Sequence, residues 1–124
     1  SKAERELIVV ATSGLNQCQY CVVAHGAILR IRAKNPFIAD QVAVNWRKAD
    51  LNDRQRAMLT YAEKVALNAQ QIDDADHRAL QDAGFSQDEI WDIGAIAAFF
   101  GMSNRLVNAG DIRPNDEFYM LGRG

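Results

Sequence analysis

Three helix-start signatures recur along the chain and restrict it to a helical fold. They occupy residues 1–4, 52–55 and 86–89, and each is a Ser or Asn followed three positions later by Glu or Gln. In such a capping box the two side chains satisfy backbone N–H groups that a new helix leaves free. The chain holds only two prolines and few alternating β-branched stretches, so little of it favours strands. We therefore predict an all-α domain, a compact bundle of about six helices.

Helix-start and helix-stop residues divide the sequence into six predicted helices. Gly14-Leu-Asn16 is expected to break the first helix, Pro36 to occupy the first helical position of the third, and Gly84 to end the fifth. The last helix is apolar nearly all round, which is typical of the buried centre of a bundle or of an oligomer contact. The predicted helices cover approximately residues 1–13, 18–34, 37–44, 52–69, 73–84 and 90–109.

Length and composition exclude several classes of protein. A chain of 124 residues is expected to form one domain, residues 1–124, with one core. A formal net charge of −2 without a Lys/Arg stripe gives no reason to expect a nucleic-acid partner. The longest uncharged apolar run, residues 93–102, is too short to span a bilayer, and no signal peptide is visible. We expect a cytoplasmic protein with no membrane partner.

The reactive side chains are concentrated in one stretch of eight residues. Cys18, Cys21 and His25 include both cysteines and one of the two histidines of the chain. In a helix they would share one face. A position at the helix N-terminus would favour a thiolate at Cys18, and His25 could accept the proton of Cys21. Cysteines three residues apart cannot join distant parts of a fold, so a disulfide recycled in a reducing cytosol fits better.

Other interpretations of this stretch remain open. The two cysteines could be small core residues, or they could bind zinc together with His25 and a fourth ligand such as His77, a carboxylate or water. The chain would then be a non-catalytic redox sensor or zinc-binding module. Because no second ligand pair follows, we predict neither a metal nor a cofactor. Glu6, among apolar positions of the first helix, could orient His25 or simply lie solvated in the first turn.

Polar and aromatic residues elsewhere give weaker signals. His77 stands among aspartates and is expected on the surface. Trp46 and Trp91 are expected in the core or in a subunit contact. Asn104 and Asn108 lie one turn apart on the last helix, where they are expected to satisfy buried backbone or to line a pocket.

The spacing Glu6-x11-Cys18-x2-Cys21-x3-His25 resembles the catalytic signature of the alkylhydroperoxidase D-like proteins, which belong to the carboxymuconolactone decarboxylase superfamily of small all-helical domains. The segments 98–105 and 114–119 resemble the branch called peroxidase-related enzymes. Members of that branch usually carry an extra N-terminal helical portion. The start of this sequence at a capping Ser1 without Met leads us to expect that this portion is missing.

The resemblance implies a thiol peroxidase that cycles through a CxxC disulfide. Cys21 would be the peroxidatic thiol, His25 its proton partner, Cys18 the resolving thiol and Glu6 part of the proton relay. A hydroperoxide would be the substrate, and an external dithiol, a thioredoxin-like protein or a lipoyl group would be the reductant. Family habit further implies a homo-oligomer, either a trimer or a hexamer.

One residue departs from the family pattern. The alkylhydroperoxidase D signature has a second His just before the second cysteine, where this chain has Tyr20. A phenol can relay a hydrogen bond but is a poor base near neutral pH, so Tyr20 is a candidate relay residue or a packing residue. The alternative from the same superfamily is a carboxymuconolactone decarboxylase-like enzyme, a branch not known for a CxxC pair.

Overall fold

The computed structural model describes the whole chain, Ser1 to Gly124, and its ordered elements are all helical. This confirms the predicted all-α bundle of six helices. None of them combines the length and the apolar character that crossing a lipid bilayer would require. The six are α1 (Lys2–Leu15), α2 (Gln19–Ala33), α3 (Ile38–Asn45), α4 (Asp53–Asn68), α5 (Asp74–Asp82) and α6 (Gln87–Ala109), with 3₁₀ turns at Trp46–Lys48, Ala69–Gln71 and Asp116–Tyr119.

Local capping sets most of the helix starts. The three predicted capping boxes are present at the starts of α1, α4 and α6. A fourth opens α5, where the Asp73 carboxylate accepts the Ala75 N–H and Asp76 accepts the Asp73 N–H in return. Gly84, with a φ of 99°, follows Ala83, the C-cap of α5, in the position that the sequence predicted.

The first helix ends inside the segment that was predicted to break it, whereas the predicted start of the third helix at Pro36 was wrong. α1 continues through Gly14 to Leu15. A Cβ on Gly14 would lie 2.4 Å from the carbonyl oxygen of Ala43, so this glycine allows α1 and α3 to approach closely instead of ending the helix. Pro36 precedes the third helix, which begins at Ile38. The reason is local, because the Asn35 side chain accepts the Phe37 N–H and forms a turn around the proline.

The first helix, and not the last, is the centre of the bundle. Residues 7–13 of α1 are all buried, and α1 packs against α2, α3, α4 and α6. α6 buries one side only, which includes Ile90, Ile93 and Ala97. Of the two roles predicted for α6, the buried centre of the bundle is therefore wrong, and the oligomer contact stays a prediction. The opposite side of α6 exposes an apolar stripe of Trp91, Phe99, Met102 and Leu106.

The C-terminal segment lies along α2 and α3. Arg30 of α2 is buried, and its guanidinium donates to the carbonyl oxygens of Leu121 at 2.8 Å and Phe118 at 3.2 Å. Arg123 pairs with Asp40 of α3 at 2.8 Å. Burial lowers the pKa of Arg30, and the neighbouring charge of Arg123 lowers it further. These contacts fix the last residues against the helix that carries the cysteines.

Candidate active site

The turn between α1 and α2 sets the position of the two cysteines. Asn16 caps the end of α1, Gln17 adopts the left-handed region with a φ of 52°, and Cys18 is the N-cap of α2. Cys21 follows in the first turn of α2, and its N–H lies 3.3 Å from Sγ of Cys18. The two Cα atoms are 5.3 Å apart, and a disulfide joins the sulfurs.

The disulfide is almost completely shielded from solvent. Cys18 is 0 % exposed and Cys21 is 3 % exposed. Because Cys18 caps a helix of 15 residues, its sulfur lies where free N–H groups and the helix dipole stabilise negative charge.

His25 and Glu6 form a hydrogen-bonded pair beside the cysteines. Nδ1 of His25 lies 2.8 Å from Oε2 of Glu6, and both side chains are partly exposed. An ionised carboxylate can only accept, so Nδ1 is the donor in this bond, and in the neutral imidazole the lone pair is then on Nε2. Since His25 follows Cys21 by one helical turn, the packing of α1 on α2 brings all four predicted site residues to one region.

An aromatic residue from α6 completes the surroundings of the imidazole. The ring of Phe100 meets the ring of His25 edge to face, with centroids 5.0 Å apart, and Phe99 packs on Phe100 in the same manner. Beyond the apolar character of α6, no pattern in the sequence indicates this contact, because His25 and Phe100 are 75 positions apart.

Comparisons with known proteins agree with this arrangement. A model of the carboxymuconolactone decarboxylase family matches residues 1–36, the part that contains all four site residues. A crystal structure described as an alkylhydroperoxidase AhpD core, an uncharacterized peroxidase-related protein from Ralstonia eutropha, is 59% identical and superposes with a TM-score of 0.99. The chain belongs to the alkylhydroperoxidase D-like group of the carboxymuconolactone decarboxylase superfamily.

The alkylhydroperoxidase D-like fold extends over the full chain. The match to the Ralstonia protein covers 100% of this chain and 65% of that one. A second crystal structure, of an uncharacterized peroxidase-related protein from a Silicibacter species, is 41% identical with a TM-score of 0.97, covering 99% of this chain and 64% of that one. This chain thus spans just under two thirds of the length of either protein. Comparison with curated proteins gave no match.

Tyr20, where alkylhydroperoxidase D-like proteins have a second His, lies in the first turn of α2 with a partly exposed ring. The bond on Nδ1 of His25 goes to Glu6, so the structure does not join Tyr20 to that nitrogen. Both the relay role and the packing role of Tyr20 stay predictions.

The second histidine lies outside this site. His77 is only partly exposed, with Nε2 3.5 Å from the Tyr61 hydroxyl, so the expected surface position was only half right. It does not supply the fourth ligand that the zinc interpretation requires. No group of three or more His, Cys, Asp or Glu side chains is placed to hold a metal ion.

A buried amide network holds the α1–α2 turn from the other side. Asn104 of α6 is 0 % exposed, and its Nδ2 donates to Oγ of Ser13 at 2.9 Å while its Oδ1 accepts from Nδ2 of Asn16 at 3.1 Å. Asn108 donates to the carbonyl oxygen of Asn16 at 3.2 Å. From the sequence, these asparagines are predicted to satisfy buried backbone or to line a pocket. Only Asn108 contacts backbone, and Asn104 bonds to side chains of the turn.

Proposed function

We propose that this chain is a thiol-dependent peroxidase that reduces hydroperoxides through a Cys18–Cys21 disulfide cycle. The observation that carries the proposal is a cysteine pair within disulfide distance at the start of α2, with the Glu6–His25 pair one turn away. A dithiol, a base and a group that orients the base form the minimal set for nucleophilic thiol chemistry. Membership of the alkylhydroperoxidase D-like group supports the same activity.

The first step uses Cys21 as the attacking sulfur. His25, held by Glu6 at Nδ1, accepts the thiol proton at Nε2, either directly or through one water. The Cys21 thiolate then attacks one oxygen of the peroxide and the O–O bond breaks. Cys21 becomes a sulfenic acid, and the departing alkoxide takes a proton from His25 and leaves as the alcohol.

The second step closes the disulfide. The Cys18 thiolate, stabilised at the helix N-terminus, attacks Sγ of Cys21, and the sulfenic oxygen leaves as water after taking up a proton. The separation of 5.3 Å between the Cα atoms already suits the disulfide, so little chain movement is required. An external dithiol, from a thioredoxin-like protein or a lipoyl group, then returns both thiols and becomes a disulfide itself.

We further propose that the protein works as a homo-oligomer, a trimer or a hexamer, in the reducing cytoplasm. The exposed apolar stripe of α6 supports the first part, because large contiguous apolar surfaces are typical of subunit contacts. A cysteine pair that must be re-reduced in every cycle supports the second.

Peroxide consumption by single-cysteine variants tests the proposed cycle. Wild-type protein is expected to consume cumene hydroperoxide when dithiothreitol or dihydrolipoamide is supplied. Cys21→Ser should abolish turnover, whereas Cys18→Ser should still reduce one equivalent and leave a sulfenic acid that dimedone traps at Cys21. Wild-type protein that consumes none of several peroxides with any of these dithiols would contradict the proposal.

A carboxymuconolactone decarboxylase-like activity is the second candidate, and the family match over residues 1–36 favours it. Decarboxylation requires no disulfide, so Cys18 and Cys21 count against it. A double variant with both cysteines changed to Ser would keep a decarboxylase active and would inactivate a peroxidase. If the chain is instead a non-catalytic redox sensor, its disulfide will respond to peroxide without turnover.

A further inference from the structure

We propose that Asn104 is a positioning residue that holds the α1–α2 turn so that Cys18 can close on Cys21. The inference rests on the proposed function in one respect only, since it needs a reversible Cys18–Cys21 disulfide. It does not depend on which substrate oxidises that pair.

Both polar atoms of the Asn104 side-chain amide form hydrogen bonds to residues that lead into the turn. Ser13, the acceptor of its Nδ2–H, lies in the last turn of α1, and Asn16, the donor to its Oδ1, is the C-cap of the same helix. Both Ser13 and Asn104 are completely buried. A buried network in which each amide atom has a partner favours one geometry over neighbouring ones.

The contact to Ser13 bears directly on Cys18. The carbonyl oxygen of Ser13 accepts the N–H of Cys18 at 3.0 Å, so the residue that Asn104 holds by its side chain also holds the backbone of the resolving cysteine. Between them, Gln17 adopts a left-handed φ of 52°, which costs free energy for a residue other than glycine. The turn between α1 and α2 therefore depends on contacts with other elements of the fold, and Asn104 supplies the buried ones.

Loss of these hydrogen bonds should let the turn sample more conformations in the reduced protein. Cys18 would then spend less time within reach of Cys21, and its effective concentration for disulfide formation would fall. We expect the equilibrium between disulfide and dithiol to shift about tenfold towards the dithiol, which corresponds to about 30 mV. During peroxide turnover, slower closure would expose the Cys21 sulfenic acid to a second peroxide, which oxidises it to sulfinic acid and leaves as alcohol.

The test compares Asn104→Leu and Ser13→Ala with the wild-type protein in buffers of graded ratios of reduced to oxidised dithiothreitol. Thiol alkylation and mass measurement give the fraction of disulfide at each ratio. Ser103→Ala, on the residue next to Asn104, is the matched control, because the Ser103 side chain is outside the network. Both network variants should shift the midpoint about tenfold, and the control should match wild type. Ser13→Ala removes a single oxygen and so decides the test if Asn104→Leu does not fold.

Thermal unfolding of the oxidised and reduced forms separates positioning from general stability. By linkage, a change in the redox equilibrium equals the difference between the stability losses of the two forms. A positioning role predicts a larger loss in the oxidised form. Equal losses in both forms, with an unchanged redox midpoint, would overturn the proposal. Because this equilibrium is measured without peroxide, a protein that cycles its disulfide but lacks peroxidase activity would refute the proposed function alone.

Discussion

Oε2 of Glu6 lies 2.8 Å from Nδ1 of His25, although the two residues stand 19 positions apart on different helices. The bond fixes the orientation of the imidazole and keeps the hydrogen on Nδ1. His25 can therefore serve as a base only through Nε2. This division of roles between the two ring nitrogens gives the site its clearest mutational test.

We expect Glu6→Gln to lower peroxide turnover about 100-fold, because an amide can still contact Nδ1 but cannot stabilise the imidazolium that forms when Nε2 takes the proton. The redox midpoint of the cysteine pair should stay unchanged, since the amide has nearly the shape of the carboxylate. Steady-state kinetics and a dithiothreitol titration give the two readouts.

Glu4→Gln is the control for that variant. Glu4 lies on the same helix and contacts Arg54, and a Gln there can keep the capping box with Ser1. Its turnover should match wild type. If the Glu6→Gln enzyme is as active as the Glu4→Gln enzyme, Glu6 takes no part in the proton relay.

The sequence predicted what depends on local contacts. Capping residues fixed the starts of α1, α4 and α6 because their partners lie three residues away. α1 ends inside the predicted break, but the role of Gly14 was not predicted, because it depends on a close approach to Ala43 of another helix. The buried centre, one of the two roles predicted for α6, was wrong for the same reason, since the hydrophobicity of α6 does not show which of its sides another helix covers.

The same distinction between local contacts and contacts between helices applies to the candidate site. Cys18, Cys21 and His25 share one helix face, so their proximity follows from spacing alone. Glu6 was a candidate because of its position in the first helix, and the family resemblance added the relay role. The structure now gives its contact with His25. Phe100 and Asn104 reach the site from α6, far along the chain, and no local pattern in the sequence marks such contacts.

Two helical glycines should respond to alanine with opposite signs. In Gly14→Ala the new Cβ would meet the Ala43 carbonyl oxygen, so α1 and α3 must separate at a cost of about 1–3 kcal/mol. At Gly94 the nearest atom, on the Tyr61 ring, is 3.7 Å away, so Gly94→Ala should stabilise the helix by about 0.5–1 kcal/mol. Urea unfolding of both variants measures the two changes. Similar effects of equal sign would contradict the close approach at Gly14.

Removal of Arg30 should release the C-terminal segment. Its guanidinium donates to the carbonyl oxygens of Phe118, Tyr119 and Leu121. Arg30→Leu leaves those of Phe118 and Leu121 without a donor, whereas that of Tyr119 keeps the bond from Arg123. We expect a stability loss of about 1–3 kcal/mol and faster amide hydrogen exchange over residues 118–123. Arg32→Leu, at an exposed position of the same helix, should change neither. Unchanged exchange in Arg30→Leu would show that other contacts hold the segment.

The ion pair between Lys64 of α4 and Asp76 of α5, at 2.9 Å, should make stability depend on acid pH. The hydrogen bond from Lys64 lowers the pKa of Asp76, and the backbone N–H of Asp73 lowers it further. A carboxyl group with a lowered pKa in the folded state stabilises the protein above its unfolded pKa of about 3.9, and this contribution disappears as the pH falls through the folded value.

Asp76→Asn should therefore cost about 1 kcal/mol at neutral pH, and its difference from wild type should vanish as the pH falls through the lowered pKa of Asp76. Denaturant unfolding at a series of pH values measures this difference in stability between Asp76→Asn and wild type. Asp74→Asn, in the exposed first turn of the same helix, controls for charge removal near the helix start. A difference between Asp76→Asn and wild type that stays constant across the acid range would mean that the Lys64 contact acts through packing, since packing does not titrate with the carboxyl group.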